Sequence, residues 1–558
     1  MKKALAIAMA ALMVFGMTAC GSKDNASQGS SNDQKQEETG GEATPAGSKI
    51  LKVFIETEVQ SLDPQVATDG TSFEVIADMT DGLYQMDADG NPIPALAENT
   101  EVSEDGKTYT FTLRDAKWSN GTPVTADDFV YGWQRACDPD FASEYSYMIY
   151  EVAQVKNGYA VNTGELPLEE LGVKALDEKT LQVELEVPVA YFLSLLYFPT
   201  FYPVNREFCE ATDGKYGTSP DTFLCNGAFL IQSDYAPAAT SFTLLKNPEY
   251  WDADRVQLDG LSYQVIKDSQ TALLAYQNGE LDTVNLSGEQ VEQVQDDPEF
   301  SAVEAGYLWY VTVNVHDVDF LANLNMRKAL RAAFDRQAIC DTIVKDGSTP
   351  AYFAVPEGLA VGPDGQDFRA TAETFDLGTM EQAQEYYAAA CEELGQNSFD
   401  IDLLVEDDAT AQNIASYIAE QWNKLPGVNC TLTVKTKKQR VKDIQDGNYQ
   451  TCITRWGPDY ADPMTYLNMW ITDNNNNYGR WSNADYDAIV MNCINGELAA
   501  DQEARWDALH DAEEIIMDQA VILPIYQKCN AMMTKSNVHN IECHSIALNR
   551  VYKNTTMD

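Results

Sequence analysis

The chain has 558 residues, 44% of them hydrophobic, and sets 37 Lys and Arg against 87 Asp and Glu for a formal net charge of −50. That length and apolar content supply several packed cores, about three or four domains at the usual domain size. The charge balance excludes a nucleic-acid binder, whose affinity comes from Lys and Arg neutralising phosphates, and it excludes a surface that binds anionic lipid.

In chain order, the first element is a targeting segment. Lys2 and Lys3 precede a short apolar run, ALAIAMAALMVFGM, and TAC supplies small residues at a cleavage point. The run is too short for a mature membrane span. MTAC followed by GSK resembles a bacterial lipoprotein signal, with Met17 where Leu is commoner. The resemblance implies removal of residues 1–19 and a lipid on Cys20; a plain secretory signal is the alternative. Residues 20–48 hold almost no apolar side chains and cannot offset their own ordering entropy, so a flexible tether is expected. Ten further cysteines follow, none in a C-x-x-C pair. An oxidising exterior permits disulfides, Cys209 with Cys225 and Cys529 with Cys543 being candidate short loops; small buried thiols are the alternative.

Ordered structure is expected to begin with KILKVFIE at 49–56, a strand. TYTFTL alternates Thr108, Thr110 and Thr112 with Tyr109, Phe111 and Leu113, the period of a half-buried strand, and Asn120-Gly121 turns the chain. Thr125 with Asp128 three residues on is a capping-box variant that opens a helix through DDFVYGWQRA. KTLQVELEVP repeats the alternation at Leu181, Val183, Leu185 and Val187 until Pro188 stops it. Met326, Leu330 and Phe334 share one helical face, as do Ile414, Ile418 and Trp422 before Pro426-Gly427. CTLTVKT and AVILPIY read as strands. Strands and helices without strict alternation indicate mixed α/β or α+β domains.

Motifs for catalysis are missing. There is no nucleophile elbow, HExxH pair, P-loop or dinucleotide glycine turn, and His316, His510, His539 and His544 are the only histidines. His539, Cys543 and His544 match no closed zinc spacing, and DADG at 87–90 lacks the other ligands of a calcium loop. No metal or cofactor is expected. With so many carboxylates, a glycosidase-like pair drawn from them carries no weight. One carboxylate has a distinctive setting. RWGPDYADP at 455–463 places Asp459 beside Trp456 on a Gly-Pro turn between apolar stretches. Fixed there, it requires something positive to face; an Asx turn or a helix cap is the local alternative.

Several stretches run in family order: EVQSLDP (58–64), DGLYQMDADGNPIPALAE (81–98), AKWSNGTPVTADDFVYGWQRACDPDFASEY (116–145), NGELDTVNL (278–286), YLWYVTVN (307–314), RKALRAAFDRQAI (327–339) and RWGPDYADPMTYLNMW (455–470). From about Ile50 to the C-terminus, the chain resembles the extracytoplasmic oligopeptide-binding proteins of ABC importers, in the dipeptide, oligopeptide and nickel solute-binding group. The resemblance implies a mixed α/β, two-lobed periplasmic-binding-protein-like clamp with an inserted domain in lobe I. Lobe I would take 50–80, 206–306 and 526–558, the inserted domain 81–205, and lobe II 307–525. It implies a binding protein rather than an enzyme, with short peptides as ligand and membrane permease subunits as partners. It also implies a monomer that meets the membrane only through its lipid.

For individual residues, the resemblance implies Asp459 on the α-ammonium of the peptide and Tyr145 in the cleft. Gly70 and Arg455, Trp456 and Gly457 would present main chain to the peptide. Trp456 would also wall a side-chain pocket, with ordinary core packing as the alternative. The sequence departs from the family where Lys437 replaces a cleft tryptophan, and where Ile444 and Ile453 replace two arginines that meet the peptide C-terminus. Lys437, Lys438, Arg440 and Arg455 are the available substitutes, the first three being readable also as a solvated basic stretch. Competing readings are another solute on the same fold (dipeptide, nickel chelate or oligosaccharide), a secreted hydrolase, and a peptide-sensing surface protein.

Overall fold

The computed structural model describes residues 48–558 apart from 89, 237–238, 373 and 547; the targeting segment, Cys20 and the tether up to 47 lie outside the described residues. The first strand, Ile50–Ile55, is the one KILKVFIE predicts, with Leu51 and Val53 fully buried. It pairs in parallel with the distant Gly260–Val265, Ile50 opposite Gly260 and Ile55 opposite Val265. Ser241–Lys246 and Phe229–Ile231 complete a four-stranded sheet. Parallel neighbours need a crossover, so the long intervening stretch leaves this sheet and returns to it.

That excursion holds a second, antiparallel sheet in the order Ala97–Val102, Thr108–Leu113, Thr180–Glu184, Val173–Asp177. The threonine–aromatic alternation is realised, with Tyr109, Phe111 and Leu113 in the core. Helix Ala126–Cys137 opens on the predicted capping box. The Asp128 carboxylate accepts the Thr125 N–H at 2.9 Å and the indole N–H of Trp118 at 3.0 Å, tying the cap to the core. The strand in KTLQVELEVP stops earlier than its pattern predicts, at Glu184. Its partner ends at Thr108, opposite Glu184. Leu185 is therefore buried beyond the ladder, in one isolated bridge to Val155.

A third, seven-stranded sheet runs Thr283–Asn285, Ile522–Thr534, Phe300–Val313, Thr451–Trp456, Phe399–Glu406, Val428–Lys435, with Thr349–Pro350 also beside Ile522–Thr534. The two long strands pair from Phe300 to Glu304 and again from Leu308 onward, with an irregularity between the two runs. Phe399–Glu406 and Val428–Lys435 are parallel and joined through helix Ala409–Trp422, which buries Ile414, Ile418 and Trp422. The other predicted helical face breaks. Helix Leu324–Ala332 buries Met326 and Leu330, but Phe334 lies past its end. Asp335 is the cause: its carboxylate accepts the Ala338 N–H at 3.1 Å and caps a new helix, Arg336–Ile339.

Neither candidate disulfide exists. Cys209, Cys225, Cys529 and Cys543 are free thiols, as are Cys137, Cys340, Cys391, Cys430, Cys452 and Cys493. Burial pushes the Cys225 and Cys529 thiols up to about 12, the behaviour of inert apolar side chains.

Candidate functional site

Strand Thr451–Trp456 ladders with Phe300–Val313 all the way to its end, Arg455 opposite Trp309 and Trp456 opposite Leu308. On its other side, the ladder with Phe399–Glu406 reaches only Thr451 and Cys452. After Cys452 the strand is therefore laddered on one edge only. Gly457 and Pro458 then turn the chain. A Cβ on Gly457 would overlap the Tyr307 ring, and one on Gly306 would lie 2.6 Å from Cγ of Pro458. The two segments approach so closely that only glycine fits at either position.

Asp459 follows, and its turn is held from both sides. The Asp459 N–H donates to Thr465 Oγ1 at 3.1 Å. Three residues on, the buried Asp462 accepts both arms of the Arg505 guanidinium, at 2.7 and 2.9 Å, from helix Gln502–Asp518. The Asp459 carboxylate itself is different. It has no hydrogen-bond or ion-pair partner among the described residues, and loss of water alone pushes it from 3.8 up to about 6. Tyr145, Tyr147, Tyr197 and Tyr307 surround it. Burial first, and then the charge of Asp459, holds all four phenols above their ordinary range.

A cavity of about 490 Å³ opens at this carboxylate. Tyr147, Glu151 and Val152 wall it from the first half of the chain; Trp456, Asp459, Thr465, Asn468 and the 473–476 loop wall it from the second. Trp456 lines the cavity and also packs against the large core, with its indole N–H buried and unpartnered. Tyr145 meets Phe73 edge-on at 5.3 Å and stacks on Phe198 at 5.4 Å. It also senses Asp69, the residue that caps helix Gly70–Met79. Gly70 is exposed and lines another cavity, of about 530 Å³, with Glu74, Lys528 and Arg550.

Of the available basic residues, the two arginines are already committed. Arg455 pairs with Glu406 at 2.6 Å and lies over the Trp309 ring at 4.7 Å. The reading of 437–440 as a solvated stretch holds for Lys437 and Lys438, which are exposed, and fails for Arg440. Arg440 is buried, donates to Thr454 Oγ1 at 2.8 Å and stands 3.6 Å from Glu406. Ile444 and Ile453 are core residues. Sequence reasoning missed Tyr147, Glu151, Thr465, Glu406 and Arg505. The aromatic density of SEYSYMIYE was a signal for the first two; nothing local marks Arg505.

The family profile described as bacterial extracellular solute-binding proteins, family 5 Middle, matches residues 91–478. The dipeptide-binding protein DppE of Bacillus subtilis (strain 168) is 31% identical over 547 residues, 98% of this chain and 97% of its own. Among solved structures, Listeria monocytogenes OppA bound to peptide matches at 34% identity and a TM-score of 0.73, over 92% of this chain and 99% of its own. The murein tripeptide-binding protein MppA, in its unliganded open form, matches at 27% identity and a TM-score of 0.79, over 92% and 98%.

Proposed function

The chain belongs to the family 5 bacterial extracellular solute-binding proteins, receptors of ABC importers rather than enzymes, and we propose that its solute is a short peptide whose α-ammonium pairs with Asp459. The observation that carries this reading is the Asp459 carboxylate. It is half-buried, lacks a counter-ion among the described residues, and sits on a turn held from both sides, in a cavity with walls from both halves of the chain. A closed site excludes water, so an ammonium there is stable only when paired.

Three further features support it. The strand edge left free after Cys452 offers main-chain groups at 455–457 for strand-type pairing, which gives affinity without reading side chains. Relatives of comparable length carry dipeptide- and oligopeptide-binding names. The fold matches both a peptide-bound OppA and a murein tripeptide-binding protein over 92% of this chain.

In this reading Trp456 and Tyr145 wall the peptide, and Gly70 presents main chain to it. The hinge is the irregularity between Glu304 and Leu308 in the long strand pair. Lobe I comprises 50–80, 206–306 and 526–558, the inserted domain 81–205, and lobe II 307–525. The receptor acts as a monomer, delivers the peptide to permease subunits, and is anchored by a lipid on Cys20, so a Cys20→Ala form should leave the membrane fraction.

The test is calorimetry on protein refolded free of ligand, with one short peptide and its N-acetylated form. In the closed cleft, acetylation leaves the carboxylate unpaired, a loss of roughly 3–5 kcal/mol, or some hundreds-fold in affinity or more. Equal binding of the two peptides would reduce Asp459 to a turn residue.

A further inference from the structure

The cavity beside Asp459 carries more negative charge than one ammonium balances. Glu151 and Asp473 line it together with Asp459, and no Lys, Arg or His is among its lining residues. Neither of these two side chains makes an ion pair among the described residues. The overall acidity of the chain does not by itself account for this, because the cavity at Gly70 has Lys528 and Arg550 in its walls.

Both carboxylates stand on anchored backbone. Glu151 lies in the π-helical turn Met148–Val152, whose Met148 and Ile149 are fully buried. Asp473 lies in a loop stiffened by the buried Asn477, whose amide donates to the Ile471 carbonyl at 3.2 Å and to the Trp481 carbonyl at 2.7 Å, and accepts the Trp481 N–H at 3.1 Å. Asp473 itself has φ 66°, a left-handed conformation that Asp tolerates better than most residues.

The chemistry of a peptide N-terminus does the rest. The first side chain leaves the same carbon that bears the α-ammonium, so an ammonium on Asp459 starts that side chain inside this cavity. We infer that the cavity favours a cationic first residue, lysine or arginine, with Glu151 and Asp473 as its counter-charges; this rests on the placement of the α-ammonium at Asp459 proposed above. The alkyl stem of such a side chain lies along Trp456, Val152 and Met469 while its head reaches the carboxylates. A neutral side chain leaves both carboxylates to lose water without a partner as the clamp closes, and an acidic one adds like charge.

The test uses calorimetry at physiological ionic strength with three tripeptides that differ only in the first residue: lysine, norleucine, which keeps the stem without the charge, and glutamate. The lysine peptide is expected to bind about tenfold or more tighter than the norleucine peptide, and the glutamate peptide more weakly than either. In the double variant Glu151→Gln, Asp473→Asn, the lysine-to-norleucine ratio should fall toward one. Equal affinities for lysine and norleucine in the wild type, or an undiminished ratio in the variant, overturn the inference. If lysine and norleucine peptides bind equally and acetylation abolishes both, the reading of Asp459 stands and only the preference falls. If none of the three binds, that reading falls and the inference goes with it.

Discussion

A carboxylate such as that of Asp459, at about 6 against 3.8 for an ordinary aspartate, holds its proton more tightly in the folded than in the unfolded chain. The folded state is therefore most favoured with the proton on. The contribution of Asp459 to stability falls as pH rises from about 3.8 to 6, and above that the ligand-free fold carries the whole of its penalty, about 3 kcal/mol. Asp459→Asn removes the charge, so it should raise ligand-free stability at pH 7 by about 2–3 kcal/mol, with the gain vanishing near pH 4. Urea unfolding at both pH values measures this, and an Asn variant less stable at pH 7 would contradict it. The same residue sets the pH profile of binding. Affinity should fall about tenfold per unit below pH 6, as Asp459 protonates, and fall again above about 8, as the peptide amine loses its proton. A flat profile from pH 4.5 to 9 would show that no ammonium–carboxylate pair forms.

Between elements, the pair of Arg505 and Asp462 fastens helix Gln502–Asp518 to the Asp459 turn. Arg505 also lies over the Tyr191 ring at 5.6 Å, and Tyr191 stacks on Tyr460 at 4.5 Å, so one guanidinium joins the helix, the turn and the excursion that carries the second sheet. Both partners are nearly inaccessible, 3% and 6% exposed, which makes a single-sided break costly. Arg505→Met should lower stability by about 3–5 kcal/mol, and adding Asp462→Asn should recover part of the loss, because the stranded charge is then gone. Denaturant titration of the single and double variants checks this. A loss below about 1 kcal/mol for Arg505→Met would mean that the pair does not hold the turn. At this scale, periodicity located helix Ala409–Trp422 but failed at Phe334 and at Leu185. A local cap at Asp335 intervened in the first case, and the end of the distant partner strand at Thr108 in the second.

For the whole molecule, the long strands Phe300–Val313 and Ile522–Thr534 lose register between Glu304 and Leu308, and the cavity at Asp459 takes its walls from both halves of the chain. A closing motion about that irregularity would bury a ligand without disturbing either long ladder. Small-angle scattering should show a smaller radius of gyration when a peptide pool is added to protein verified as ligand-free, together with a change in tryptophan fluorescence from Trp456. An unchanged radius under those conditions would rule out a clamp.

The sequence alone determined what depends on adjacent residues. The alternation at Tyr109, Phe111 and Leu113, the capping box of Thr125 and Asp128, and the rigid turn presenting Asp459 are all local, because side-chain period and turn chemistry operate over a few residues. The motif order from EVQSLDP to RWGPDYADP likewise carried the family. Only the tertiary structure decided which groups meet. Arg505 reaches Asp462 across 43 residues, Arg455 is neutralised by Glu406 across 49, Gly70 faces a different cavity from Asp459, and Asp459 itself is left without a partner among the described residues. Nothing local encodes those pairings. They follow from how distant segments pack, and charge pairing decays too steeply with distance and solvent to be read from spacing along the chain.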